Sequence, residues 1–283
     1  MKKNKSELKE SRNKRTQEIK NKLEKDIKKK SRETITAYLI LRVLVIVCMV
    51  AQAMHGNYNN VFLCALTLIL FTIPTFITNK LNIELPSFLE ITVYLFIFAA
   101  EMLGEIQNFY GIFKHWDTLL HTLNGFLCAA IGFSLVDILN RKEKFHIKMS
   151  PWFLSIVAFC FSMTIGVLWE FFEYGMDRYF LLDMQKDRVV QTISSVQINQ
   201  EAKNEPIIIK DISKTEIHYG DNQVLTIEDG YLELGRNDTM KDLFVNFIGA
   251  VIFSILGFLY VKDRDEYKII EKFIPRLSKK QKE

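Results

Sequence analysis

The chain has 283 residues, 49% of them hydrophobic and 25% charged, with a formal net charge of +4. Totals of this kind suit a soluble protein of one large domain or two small ones, but the distribution of the apolar residues excludes that class. They are collected in long runs separated by short charged segments. Because a helix needs roughly 20 mostly apolar residues to cross the hydrocarbon layer, we predict a multi-pass membrane protein.

Residues 1–33 form a basic segment before the first apolar run. They contain fourteen Lys or Arg residues and six Asp or Glu residues. Such a segment can attract anionic lipid head groups or RNA, but a tail that fixes the orientation of the first span is the simpler interpretation. We therefore predict a cytoplasmic tail and expect no nucleic-acid partner.

Six apolar runs follow, and each has about the length of a membrane span. They lie at 35–54, 61–78, 85–104, 118–139, 151–172 and 243–261. Pro74 interrupts the second run and is expected to kink it. The predicted domains are spans one to five within 34–177, an insert at 178–240, the sixth span at 241–262 and a tail at 263–283.

Basic residues lie on alternate loops, which sets the predicted orientation of the spans. The loop after the fourth run has four Lys or Arg residues within 141–148, and eight more follow the sixth run. The short loops on the other side, 55–60 and 105–117, have Lys114 as their only Lys or Arg residue. Since cytoplasmic loops carry an excess of Lys and Arg, we predict that both termini are cytoplasmic.

The insert at 178–240 contains short runs rich in β-branched and aromatic residues. Gly220-Asp221-Asn222 and Asp229-Gly230 are typical of turns between strands. Five spans precede this segment, so we predict that it lies outside the cytoplasm. The predicted fold class is an all-α transmembrane bundle of about six spans, with a small β-rich extracytoplasmic insert between spans five and six.

Acidic residues are concentrated near the predicted outer ends of four spans. Ionisable residues within a membrane are costly and usually functional. Many of them are three or four positions apart, as in Asp117 and His121, and such pairs share one face of a helix. We predict that these polar faces meet at one site. The candidate metal ligands are Glu101, Glu105, Asp117, His121, Glu170, Glu173, Asp177, Asp238, Asp242 and Asn246.

Carboxylates so close together repel one another unless protons, basic residues or a metal ion offset their charge. The basic residues expected on this side are Lys114, Arg178 and Lys241. Oxygen-rich sites with a histidine suit Mg²⁺, Mn²⁺, Ca²⁺ or Zn²⁺, so a divalent ion is the predicted cofactor. The competing interpretation is that acids at span ends, such as Glu105, Asp177 and Asp238, simply face water or head groups.

This chemistry favours a metal-dependent membrane enzyme, namely a hydrolase or transferase acting on lipid or envelope substrates. The catalytic candidates are Glu170, Glu173 and Asp242 as general base, and His121 as metal ligand or acid. The lipid bilayer is the expected partner, and the oligomeric state stays open.

Two other functions fit the same residues. A cation- or proton-coupled transporter would bind and release its ion at the carboxylates, and a structural or sensory protein would do neither. A transporter needs polar residues that continue to the inner side of the membrane, where we find only Arg42, Glu90 and Asp137. This scarcity favours the enzyme.

The acidic residues also lie within longer sequence motifs. The motifs are Gly104-Glu105 followed by Tyr110, Trp116-Asp117-Thr118-Leu119-Leu120-His121, Trp169-Glu170-Phe171-Phe172-Glu173, Asp238-Thr239-Met240-Lys241-Asp242-Leu243, and Asn246 to Gly249-Ala250. Together they resemble the YjdF-like family of bacterial inner-membrane proteins. The resemblance covers roughly residues 35–262, and 194–230 looks like a variable insertion within it. It implies a multi-pass protein of the bacterial cytoplasmic membrane and supplies no reaction.

Overall fold

Helices long and apolar enough to cross a membrane make up most of the fold. The protein is described by a computed structural model that covers residues 32–81, 83–141, 149–201 and 204–277. In these ranges six helices have the length and composition of membrane spans. The multi-pass prediction is therefore confirmed. The predicted basic tail lies, up to residue 31, outside the described residues, as do the loop residues 142–148 and the end of the chain from 278.

The first two spans are α1 (Arg32–Met54) and a helix pair, α2 (Tyr58–Leu70) and α3 (Ile73–Leu81). The chain makes a turn between α2 and α3, directly before Pro74. Proline has no N–H to donate to the preceding turn and its ring clashes with it, so the α-helix ends there. The kink predicted from Pro74 is thus present as a break in the span.

The third span changes its helical type before it ends. Helix α4 (Ser87–Phe98) continues as a π-helical segment, Ala99–Ile106. A short helix, α5 (Phe109–Ile112), follows after Asn108 in the left-handed conformation. π-Helical turns are rare in proteins. Where they occur, they are frequently found at functional sites.

The last three spans form the most closely packed part of the bundle. They are α6 (Trp116–Arg141), α7 (Pro151–Phe180) and α8 (Arg236–Lys262). The N-terminus of α7 has the expected signals: Ser150 accepts a hydrogen bond from the backbone N–H of Phe153 at 3.2 Å, and a proline occupies the first helical position. Between these helices lies an apolar core that includes Ala129, Phe133, Leu154, Ala158, Ala250 and Phe253.

Helices α6 and α8 cross with their backbones in direct proximity at two glycines. A Cβ atom added at Gly125 of α6 would collide with the carbonyl oxygen of Asn246, and one added at Gly249 of α8 would collide with that of Thr122. Small residues at such crossings let membrane helices approach closely. The crossing lies just below the acidic ends of both helices and fixes how those ends face each other.

The first three spans have a separate apolar core. Its buried residues include Leu41 and Val45 of α1, Phe71 after α2, Tyr94 of α4 and Met102 of the π-helical segment. The two cores correspond to two groups of helices. The π-helical segment belongs to the first group and also approaches α6 of the second group.

Short antiparallel strands form the region between α7 and α8. Strand β2 (Arg188–Val190) pairs with β7 (Tyr231–Glu233), β3 (Ile193–Ser195) with β4 (Ile207–Ile209), and β5 (Lys214–Tyr219) with β6 (Gln223–Glu228). The strands thus follow the β-branched runs predicted from the sequence, and the turn at Asn222 is one of those predicted. We call the end of the bundle that carries these strands the insert end.

The residues after α8 pack back against the other end of the bundle. Phe273 contacts Phe88 of α4 and Phe126 of α6, with ring centroids 5.2 and 5.0 Å apart. Strand β8 (Arg276–Leu277) pairs with β1 (Ile83–Glu84). Residues 263–277, which the sequence suggests only as part of a tail, therefore connect the two groups of helices.

Candidate metal centre

Four elements meet at the insert end around a small polar pocket. It lies between the π-helical segment and α6, α7 and α8, with Tyr110 of α5 at its side, and residues from the start of the insert cover it. The pocket is lined by Glu105, Tyr110, Asp117, His121, Glu173, Met184, Lys186, Asp238 and Asp242. It has room for about one water molecule or a single ion. An organic substrate would have to approach it from outside rather than be enclosed in it.

His121 lies at the centre of this arrangement. Its Nε2 atom is 3.4 Å from Oδ1 of Asp117 and 3.7 Å from Oδ2 of Asp242. Ligand atoms of these three residues all lie within 4.8 Å of one another. Two atoms bound to one Zn²⁺-sized ion at about 2.1 Å are about 3.4 Å apart in tetrahedral geometry. These three side chains could therefore hold a common ion.

Lys241 contacts the same two aspartates from another side. Its ammonium group contacts Oδ2 of Asp117 and lies 3.5 Å from Oδ1 of Asp242. These are the oxygens that do not face His121. Lys241 therefore offsets part of the negative charge and leaves one oxygen of each aspartate directed toward the imidazole.

Acidic side chains outnumber basic ones around the pocket. Among the described residues, those that line it or are buried beside it include seven acids, namely Glu101, Glu105, Asp117, Glu170, Glu173, Asp238 and Asp242. Three cations pair with members of this group, namely Lys186, Arg188 and Lys241. Glu101 and Glu170 are only 3% and 4% exposed. The Oε2 atom of each has no hydrogen-bond partner within the described part of the chain. Such burial is costly for a carboxylate, so this end of the bundle requires protons or a bound cation.

Two of the predicted ligands, Asp177 and Asp238, bind the segment that covers the pocket instead of facing His121. We call residues 183–188 the strap. The carboxylate of Asp177 accepts hydrogen bonds from the backbone N–H groups of Met184 and Gln185 at 2.6 and 2.8 Å. Asp238 accepts one from the backbone N–H of Lys186 at 2.9 Å and pairs with Arg188 at 3.2 Å. These acids fix the strap across the pocket.

The strap also contributes a cation that was not predicted from the sequence. Nζ of Lys186 lies 3.2 Å from Oε2 of Glu105 and 5.8 Å from the ring centroid of Tyr110. Burial, reinforced by the negative charges of Glu105 and Glu101, raises the pKa of Tyr110 well above its usual value. Its hydroxyl therefore remains protonated. The only sequence signal for Lys186 is its position shortly after a helix whose last turns contain acidic residues.

The remaining predicted residues occupy distinct places. Glu173 lines the pocket, and its Oε1 atom accepts a hydrogen bond from Nε1 of Trp169 at 2.8 Å. Asn246 lies deeper, where its Oδ1 atom accepts a hydrogen bond from Asn124 at 3.0 Å and links α8 to α6. Of the basic residues expected nearby, Lys241 is in the cluster, whereas Lys114 and Arg178 are exposed.

Below the pocket the three-helix core becomes apolar. Ala129, Phe133, Ala250 and Phe253 have no solvent exposure. Four buried serines lie along the same helices, namely Ser134, Ser155, Ser162 and Ser254. At the far end Arg264 pairs with Asp137 at 2.9 Å. Along α6, α7 and α8, no charged residue lies between the acidic cluster and Asp137.

The fold and site define a multi-pass membrane protein with a compact Asp/His cluster at one end of its helical bundle. The chain belongs to the DUF2238 family of predicted membrane proteins, whose family model matches residues 36–263. This confirms the resemblance noted from the sequence motifs.

A relative in Thermotoga maritima, described as an uncharacterised protein, is 28% identical over 95 residues. The matched part is 34% of this chain and 47% of the relative, so the chain spans about half the length of that curated relative. No solved structure matches the chain.

Proposed function

We propose that this protein is a metal-dependent membrane hydrolase or transferase that acts on lipid or envelope substrates. The observation that carries the proposal is the spacing of Asp117, His121 and Asp242 within a cluster that has an excess of carboxylates. A bound divalent ion would offset that charge, polarise a substrate and lower the pKa of a coordinated water. Glu173, which lines the same pocket, would be the general base.

The packing below the site supports an enzyme more than a transporter. An ion that crosses the membrane needs polar groups or water along its path, because unpaired charge in hydrocarbon is costly. Between the cluster and Asp137 the three helices have fully buried apolar side chains such as Phe133 and Phe253, and they carry no charged residue there. A site that opens at one end only is what an enzyme acting at the membrane surface requires.

We further propose that the protein resides in the bacterial cytoplasmic membrane with both tails, 1–33 and 263–283, in the cytoplasm. The insert, 178–240, and the metal centre would then lie outside. The distribution of Lys and Arg over the loops supports this orientation, and the spans would be those within 34–177 and 241–262.

Reporter fusions test this orientation. A reporter that is active only outside the cytoplasm should be inactive when fused after Glu283, and active when inserted at the turn of Gly220 and Asp221. A reporter active only in the cytoplasm should give the opposite pattern at the same two positions. Strong external activity after Glu283 would reverse the topology and put the acidic cluster on the inner side.

The enzymatic proposal predicts metal-dependent conversion of a membrane component. Purified protein in vesicles of bacterial lipid extract is stripped with a chelator and supplied with Zn²⁺ or Mn²⁺, and lipids and added envelope precursors are followed by mass spectrometry. We expect a new product with the wild type and none with Asp117→Asn, which removes one charged ligand at nearly constant volume. Metal flux into the vesicles without a new product would instead support the transporter.

A further inference from the structure

His121 presents its two ring nitrogens to different groups. Nε2 faces the two aspartates at 3.4 and 3.7 Å, and Nδ1 faces Oε1 of Glu170 at 4.0 Å. The aspartates come from α6 and α8, whereas Glu170 comes from α7. The imidazole thus lies between a pair of carboxylates on one side and a single carboxylate on the other.

We infer that Glu170 is a positioning residue that holds Nδ1 of His121, so that Nε2 binds a Zn²⁺-like ion together with Asp117 and Asp242. This inference rests on the metal centre proposed above. It changes the role of Glu170 from the catalytic base suggested by the sequence to the partner of a ligand, and it selects one class of ion from those that the composition of the site allows.

The position of Glu170 supports this role. A histidine that binds a metal through one nitrogen carries its hydrogen on the other, and it almost always donates that hydrogen to a carboxylate, a carbonyl or water. Glu170 is the carboxylate at Nδ1, it is 4% exposed, and its Oε2 atom lacks a hydrogen-bond partner among the described residues. A movement of roughly 1 Å would bring Oε1 to hydrogen-bonding distance from Nδ1.

The ligand set indicates which ion would bind. Ca²⁺ takes six to eight oxygen ligands and Mg²⁺ prefers an octahedral set of oxygens, whereas imidazole suits borderline ions such as Zn²⁺. One nitrogen and two carboxylate oxygens make three protein ligands, which is the number found in catalytic zinc sites that keep a fourth position for water. The pocket beside the cluster has room for about one water molecule.

Two substitutions at Glu170 separate hydrogen bonding from charge. Glu170→Gln keeps an acceptor oxygen for Nδ1 but removes the charge, and Glu170→Leu removes both. Glu233→Leu is the matched control, because it removes another buried carboxylate at the insert end, 7% exposed, that bonds to Asn237 and Arg236 instead of facing His121. Zn²⁺ binding by full-length protein in detergent is measured by titration calorimetry, with Mg²⁺ and Ca²⁺ in large excess as competitors.

We expect the wild type to bind Zn²⁺ despite the competitors. Glu170→Leu should weaken binding about 10–100-fold, as loss of an outer-shell partner does. Glu170→Gln should stay within about threefold of the wild type, since its amide oxygen can still accept a hydrogen bond from Nδ1 and orient the ring. Glu233→Leu should do the same, because it leaves the groups around His121 in place. Circular dichroism and gel filtration check that each variant folds.

Three results would overturn the inference while leaving the metal centre in place. These are unchanged binding by Glu170→Leu, a loss in Glu170→Gln as large as that in Glu170→Leu, and displacement of Zn²⁺ by Mg²⁺ or Ca²⁺. If Glu170→Leu fails to fold, Glu170→Ala takes its place, because it also removes both the acceptor oxygen and the charge, and it is judged by the same loss of Zn²⁺ binding. Failure of the wild type to bind any divalent ion would instead reject the proposed function itself.

Discussion

Replacing Asp242 by asparagine is expected to abolish retention of the bound divalent ion. Asp242 is 2% exposed, and its Oδ2 atom lies 3.7 Å from Nε2 of His121. The substitution removes one of the two anionic ligands, Asp117 and Asp242. Of these two, only Asp117 then remains to offset the positive charge of Lys241. We expect affinity to fall roughly a hundredfold or more, since loss of even an outer partner of a ligand costs about 10–100-fold.

Metal content after dialysis, measured by mass spectrometry of the purified protein, is the readout for Asp242→Asn. Glu233→Gln is the control, because Glu233 is also buried at the insert end, 7% exposed, but bonds to Asn237 and Arg236 instead of to the cluster. The control should retain the ion. Full retention by Asp242→Asn would remove Asp242 from the ligand set, and equal losses in both variants would point to a general effect of charge.

The second large effect is expected at the crossing of α6 and α8, where Gly249→Ala should separate the helices. The added Cβ would collide with the carbonyl oxygen of Thr122, and backbone cannot move aside as a flexible side chain can. Overpacking of this kind typically costs about 1–3 kcal/mol. Because Asp242 is on α8 and His121 on α6, the same displacement should also weaken metal binding.

Thermal unfolding in detergent and Zn²⁺ titration measure the two consequences of Gly249→Ala. Gly175→Ala on α7 is the matched control, because a Cβ at Gly175 would meet nothing within 4 Å. Since alanine favours a helix over glycine by up to about 1 kcal/mol, the control should be neutral or slightly stabilised. If Gly249→Ala unfolds like the control and binds metal normally, the two helices do not need a glycine at this crossing.

Much of the architecture follows from local sequence alone. A span is recognisable because the hydrocarbon layer imposes a minimum length of apolar residues on each segment independently of its neighbours, and all six predicted spans are helices. The break before Pro74 and the strands of the insert are equally local, because they depend on proline geometry and on the preference of β-branched residues for strands.

Part of the candidate site could also be predicted from the local sequence. Acids in apolar runs are costly, so Asp117, Glu170 and Asp242 are recognisable as candidates from their sequence positions. Their spacing of three or four residues showed which of them share one face of a helix. It could not tell which acids would face His121 and which would hold the strap, because Asp177 and Asp238 have the same spacing to their neighbours as the others.

What the sequence by itself determined, then, is the number of spans, the positions of the strands and the set of costly polar residues, since each depends on the free energy of a short segment in lipid or water. The tertiary structure alone decided how those pieces meet. The proximity of Asp117 to Asp242, the approach of Lys186 to Glu105 and the return of Phe273 to α4 and α6 join residues far apart in the chain. Such contacts depend on the packing of whole helices, to which close crossings such as that at Gly125 and Gly249 contribute, and no local pattern encodes them.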